Sequence, residues 1–305
     1  MMGNKVFALS LVAGILVISV CFNSRTTQPF QPPRPARVHN DETGSNERKV
    51  VKSDKRNSGL AYEREIRKNT SLNCSINFAD PNNTMTPVWL TSFARSGNTW
   101  TRHLLELATG IYTGSCYNCN GLYKLGFKGE LDKPGLKREL VYKCHVYHTG
   151  MQSGILLIRN AYDSLISFFD YKSRGQVPNE AYRNNPNFTN WAIIKQEKWL
   201  NLVVSWFESG KPFMVVHYED MVKDTLKEVE RILQYLNIKF TPERRRCVKN
   251  DIEGVYHRKN KEKFTFDPFT RKLHTLIDKD IDIVNQLFTS RNEHPIAGPT
   301  YNSEL

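Results

Sequence analysis

Four short apolar runs, at residues 88–93, 140–145, 155–159 and 213–217, recur through this chain with amphipathic stretches between them. The third, Ile155-Leu156-Leu157-Ile158, is continuous rather than alternating, as expected of a strand covered on both faces of a parallel sheet. Helical spacing follows: Trp100, Leu104, Leu105 and Ala108 after the first run, and Ala161, Leu165, Ile166 and Phe169 after the third. A helix predicted over 190–209 carries Trp191, Ile194, Trp199, Leu202 and Trp206 on one side, and another is predicted over 226–236. Repeated strand–helix alternation predicts an α/β fold, a doubly wound, three-layer parallel sheet spanning residues 86–305. Residues 109–135, rich in Gly and Tyr, read as a long loop, a lid or an acceptor-facing surface.

In open sheets of this kind, ligands collect outside the carboxyl ends of the strands. The first run stops at Phe93 and passes through Ala94-Arg95-Ser96-Gly97-Asn98-Thr99 into the helix that holds Trp100. A helix N-terminus offers free backbone N–H groups and partial positive charge, so this turn suits a phosphate, with Arg95, Ser96, Asn98 and Thr99 as further donors. The alternative is an ordinary strand-to-helix connection. The other strand ends favour the anion site: they carry Lys143 with His145, then Arg159, then Tyr218. The Gly-x-x-x-x-Gly-Lys phosphate loop is missing, and no aspartate ends a strand as a metal holder, so a Mg-nucleotide kinase is the weaker reading and no metal is expected.

The remainder reads as appendage. Residues 6–22 are uninterruptedly apolar between Lys5 and Arg25, which predicts a five-residue cytoplasmic tail (1–5) and a transmembrane signal anchor (6–22), a cleaved signal peptide being the alternative. Residues 23–85 are rich in Pro, Asn, Ser, Arg and Lys and predict a flexible, glycosylated stalk. Asn-x-Ser/Thr acceptors at Asn69, Asn73, Asn82 and Asn187 place the bulk of the chain on the lumenal side, as in a type II membrane protein. A formal charge of +12 favours an anionic partner; nucleic acid, acidic glycan, nucleotide and membrane surface all qualify. Cys21 lies in the apolar run; Cys116 and Cys119 form a lone C-x-x-C better suited to a disulfide than to zinc, with connectivity open.

The stretch from Thr91 to Trp100 resembles the 5′-phosphosulfate loop of the PAPS-dependent sulfotransferases. Arg159 followed by Ser167 is similar to that family's 3′-phosphate pair, and Lys143-Cys144-His145 resembles its Lys-Thr-His. Tyr218-Glu219-Asp220 and Arg258-Lys259-Asn260 match two later motifs in order. Ser96-Gly97-Asn98-Thr99-Trp100, Gly126-Phe127-Lys128-Gly129-Glu130 and Asp267-Pro268-Phe269-Thr270 look most like the catalytic domain of the vertebrate WSC-domain-containing sulfotransferases, without their Cys-rich modules. The resemblance implies a Golgi enzyme moving a sulfuryl group from PAPS to a glycan on a glycoprotein or glycolipid, sialic acid being the family's acceptor, with no nucleic-acid partner. It implies His145 as catalytic base and Lys143 and Arg95 as charge stabilisers. The donor would be held by Arg95, Ser96, Gly97, Asn98, Thr99, Trp100, Arg159, Ser167, Tyr218, Arg258 and Lys259. For Trp100, stacking on adenine and packing of helix on sheet are equal alternatives. Three residues depart from the family pattern: Arg95 for lysine, Cys144 for threonine and Asn260 for glycine. A non-catalytic binding protein of the same fold is the competing reading.

Overall fold

The structure is a computed structural model and describes residues 72–80, 86–134, 136–173, 182, 185–254 and 266–300. The expected anchor at 6–22, the acceptors at Asn69 and Asn82, and Arg258-Lys259-Asn260 lie outside those residues. Among the described residues no helix is long and apolar enough to cross a membrane.

Five parallel strands, β1 (Trp89–Ser92), β2 (Gly114–Ser115), β3 (Tyr142–Cys144), β4 (Gly154–Ile158) and β5 (Phe213–His217), form one sheet in the order β2-β3-β1-β4-β5. Side chains alternate across it as the pleat requires. Trp89, Leu156, Ile158, Phe213 and Val215 join one buried cluster, while Leu90, Ile155, Leu157, Met214 and Val216 join the other. Helices α1 (Asn98–Thr109), α6 (Thr225–Tyr235) and α7 (Pro242–Asn250) supply the second cluster, through residues such as Leu104, Ile232 and Val248. The first is built with α3 (Ala161–Ser173), α4 (Pro186–Glu208) and α8 (Arg271–Thr289), through Leu165, Trp199, Trp206, Leu273 and Val284. The doubly wound, three-layer expectation therefore holds for the described residues.

Local chemistry accounts for the element ends. Asn185 caps α4 by accepting from the N–H groups of Asn187 and Phe188, with Pro186 in the first turn, so the helix begins earlier than the apolar spacing alone predicts. β5 ends at His217 as expected, and Tyr218, Glu219 and Asp220 directly after it open the short helix α5 (Tyr218–Lys223).

Two expectations are corrected. The segment 109–135 is not an unstructured loop: it contains β2, the short helix α2 (Asn120–Lys124) and a 3₁₀ turn at Lys128–Leu131. Residues 72–80, expected within a stalk, belong to the folded body. There the Asn77 N–H donates to Gly110 O at 2.8 Å, the Ala79 N–H donates to Arg138 O at 2.9 Å, and Arg138 lies over the Phe78 ring. Cys74 is joined to Cys247 of α7 by a disulfide across 173 residues. Closing so long a loop restricts the unfolded chain strongly, so replacing both cysteines by alanine is expected to cost about 2–5 kcal/mol. Urea unfolding with and without the pair measures this; an unchanged midpoint would show that the disulfide contributes nothing to stability.

Candidate active site

Since all the strand pairings are parallel, the carboxyl ends of β1, β3, β4 and β5 lie along one edge of the sheet, and the sequence places its chemical groups there. The β1–α1 turn is tight. The Ser96 N–H donates to Phe93 O at 3.3 Å, and Arg95 and Gly97 both take positive φ, 69° and 92°. Left-handed backbone at Gly97 is needed, and a Cβ there would stand 2.6 Å from Cδ2 of Tyr218. Gly97 starts α1 without a side-chain cap, leaving first-turn N–H groups facing the strand ends.

The side chains of that turn divide by role. Asn98 donates to Leu90 O at 3.0 Å and to Ser92 Oγ at 3.1 Å, fastening the loop to β1. Ser96 Oγ and Arg159 Nε are buried and meet no hydrogen-bonding partner among the described residues. Polar atoms enclosed in this way are costly unless a ligand engages them. Arg159 Nη1 donates to Arg95 O at 3.2 Å, and its guanidinium lies 4.6 Å over the Tyr218 ring, so the arginine after β4 is held against the turn after β1. The Arg95 guanidinium rests over Tyr171 of α3, 5.0 Å from the ring centroid. Thr99, in the first turn of α1, is half-buried.

At the end of β3 the half-buried His145 turns its Nδ1 to Ser92 O at 2.9 Å. A carbonyl only accepts, so Nδ1 carries the proton and Nε2 keeps its lone pair. Burial, and then the charge of Lys143, push this imidazole down to about 4, so it is neutral at pH 7. Lys143 is buried; burial and then the charge of Arg102 lower its ammonium below the ordinary value, with Glu130 opposing. Tyr117, not singled out from the sequence, stacks on His145 with ring centroids 5.3 Å apart and accepts the His145 N–H at 2.8 Å. The Lys143 ammonium lies 5.9 Å from the centroid of the same ring. Its position in the Gly/Tyr-rich segment was the signal available. His148 lies with its edge against Trp89, away from these contacts.

Other candidates are placed differently. Trp100 is buried in the core and donates its indole N–H to Ile252 O at 2.7 Å, the contacts that the packing alternative requires. Ser167 is buried nearly two turns into α3, and no hydrogen bond joins it to Arg159. A network absent from the sequence reading supports Lys143 from behind. Arg102 of α1, fully buried, donates to Glu130 Oε2 at 2.5 Å, to Thr113 Oγ1 at 2.7 Å and to Thr113 O at 3.1 Å.

A neutral imidazole, an enclosed ammonium and a helix N-terminus with a buried hydroxyl and guanidinium form a site for a phosphorylated anion beside a hydroxyl to be deprotonated. The comparisons agree with that chemistry. Residues 151–265 match the family model described as a sulfotransferase domain. A WSCD family member of Aedes aegypti is 34% identical over 202 residues, covering 62% of each chain, so this chain spans 62% of that relative's length. A WSCD family member of Drosophila pseudoobscura pseudoobscura is 32% identical over 215 residues, 67% of each chain. The chain carries a sulfotransferase domain and belongs to the WSCD family. Among solved structures, a mouse sulfotransferase complexed with PAP is similar over 68% of this chain and 89% of its own, at 18% identity and a TM-score of 0.45, too distant a likeness to bear on chemistry.

Proposed function

We propose that this chain transfers a sulfuryl group from PAPS to a hydroxyl of a glycan on a glycoprotein or glycolipid, with sialic acid as the acceptor sugar. The observation that carries the reaction class is the presence along one sheet edge of His145, held through Nδ1 by the β1 carbonyl of Ser92, of the uncapped α1 N-terminus and of the buried Ser96 Oγ and Arg159 Nε. The donor, when bound, supplies an activated sulfuryl group on a phosphate.

Each residue's part follows from its surroundings. The α1 N–H groups, Ser96 and Thr99 would bind the 5′ phosphosulfate, and Arg159 would bind the other phosphate with Ser167 and Tyr218, while Arg258 and Lys259 are assigned to that phosphate by the family resemblance alone. Trp100 and Asn98 position the loop from behind. His145 Nε2 takes the proton of the acceptor hydroxyl, while Nδ1–H stays on Ser92 O and holds the ring in place. Lys143 and Arg95 offset negative charge growing on the sulfuryl and bridging oxygens; an arginine stays charged and does not serve as the proton donor to the leaving group. The acceptor sugar, and a Golgi membrane location with the domain in the lumen, rest on the family resemblance and on the apolar 6–22 run and acceptor sequons of the sequence.

Incubation of the full chain with labelled PAPS and with native or sialidase-treated glycoproteins tests both levels. Label that disappears after sialidase supports the whole reading. Label that persists keeps the reaction and removes sialic acid, while PAP binding without transfer to any glycan favours the binding-protein alternative. Gly97→Ala puts a side chain into left-handed backbone and against Tyr218, a cost of roughly 1–2 kcal/mol from the backbone alone. PAP affinity measured by calorimetry is expected to fall about tenfold or more; unchanged affinity would show that the turn does not hold the donor.

A further inference from the structure

Three thiols beside the site have no part in this chemistry: Cys116 and Cys119, both exposed, and Cys144, buried between Lys143 and His145. Their placement follows from the edge strand. Register pairs Gly114 with Tyr142 and Ser115 with Lys143, so the next pair in register is Cys116 and Cys144, and the Cys116 N–H donates to Lys143 O at 3.1 Å. The two sulfurs are 2.9 Å apart, closer than ordinary sulfur contact, whereas Cys119 lies beyond the turn at the start of α2. Adjacent positions on neighbouring strands hold Cα atoms within the span a disulfide requires. The chain already contains the Cys74–Cys247 disulfide, a feature of proteins that meet oxidising conditions.

We infer that Cys116 and Cys144 form a second disulfide, which clamps the segment carrying Tyr117 onto the strand that presents Lys143 and His145. Closure needs a movement of only about 1 Å, since a disulfide spans about 2 Å, so the strand end stays where it is. Cys116 is the sulfur an external oxidant reaches, and a small-molecule disulfide such as glutathione disulfide balances the step. As the Cys116 sulfur attacks one glutathione sulfur, its proton passes across the 2.9 Å contact to the Cys144 thiolate, and the first glutathione leaves as a thiolate that takes a proton from water. Cys144 then loses its proton to solvent and attacks the Cys116 sulfur, and the second glutathione leaves. Two protein thiols are oxidised, and one glutathione disulfide is reduced to two glutathiones. In the resting pair the charge sits on Cys144, lowered to about 6 by the hydrogen bond the Cys116 thiol donates to it, while the same contact raises the Cys116 thiol.

The consequence reaches Tyr117, the next residue after Cys116. Its hydroxyl accepts the His145 N–H and its ring covers the imidazole, so the clamp holds that phenol against the strand end.

The test uses the full chain equilibrated with glutathione disulfide, alkylated without reduction, digested and weighed. A linked pair of peptides carrying Cys116 and Cys144, lighter than their sum by two hydrogens, is expected, with Cys119 alkylated. The same link is expected in Cys119→Ser. Alkyl groups on both Cys116 and Cys144, or a link from Cys116 to Cys119, would overturn the assignment. Hydrogen exchange at the amides of residues 116–125 is expected to slow by about tenfold or more in the oxidised form relative to the reduced; equal rates would overturn the clamp. Neither readout depends on sulfuryl transfer, so failure here is separable from failure of the proposed reaction.

Discussion

His145→Ala is expected to lower kcat for sulfuryl transfer by about 10²–10⁴-fold, the range for loss of a general base, while PAP affinity measured by calorimetry stays unchanged. The separation follows from position. His145 stands at the end of β3, bonded to Ser92 O, whereas the groups facing the donor belong to the β1–α1 turn and to Arg159 after β4. The same geometry sets the pH profile. Burial and the Lys143 charge hold the imidazole at about 4, and the base works only when neutral. Activity should therefore persist as pH falls through 6.5, the ordinary histidine range, and decline only as pH approaches about 4. Full turnover in His145→Ala would remove this ring from the mechanism; an acid limb near the ordinary histidine value would show instead that burial and the Lys143 charge do not depress it. His148→Ala is the control, because His148 packs against Trp89 and makes none of these contacts.

Arg102→Met is expected to destabilise the domain by about 3–5 kcal/mol, the cost of leaving a buried carboxylate without its partner. Glu130 is fully buried and faces Arg102 at 2.5 Å, and the same guanidinium holds Thr113 by two further bonds and lies 4.4 Å over the Phe127 ring. Thr113 precedes β2, and Glu130 lies in the 3₁₀ turn, so one side chain of α1 pins both ends of the segment that covers Lys143. The double variant Arg102→Met with Glu130→Leu should recover most of the loss, since a hydrophobic pair of similar volume often replaces a buried ion pair at little cost. Urea midpoints of the two variants decide the matter. If the single and double variants fall equally, the loss comes from the Thr113 bonds and not from an orphaned carboxylate.

The parallel sheet and the gathering of the candidate side chains at one of its edges were readable from local pattern. A strand buried on both faces must be apolar along its whole length, so Ile155 to Ile158 and Phe213 to Val216 disclose parallel strands without any partner being known. Once the strands are parallel their carboxyl ends share an edge, and Arg95 to Thr99, Lys143 with His145, Arg159 and Tyr218 fall together. The two-residue strand β2 escaped notice because Gly114 and Ser115 are too few to show a period, and the neighbouring β3 defines them as a strand. Residues 72–80 read as stalk because they end a long Pro-, Asn- and Ser-rich stretch and are too few to show a texture of their own, while what attaches them is remote in sequence: a disulfide to Cys247 and backbone bonds to Gly110 and Arg138.

The difference has one physical origin. Periodicity and residue type report what each segment buries and how its own backbone runs, and that was enough for four of the five strands, the helices after them with a clear apolar side and the β1–α1 turn. The burial of Trp100 against Ile252, the Arg102–Glu130 pair and the Tyr117 phenol on His145 are meetings of segments remote in sequence. They depend on which strand lies beside which, so only the folded chain decides them.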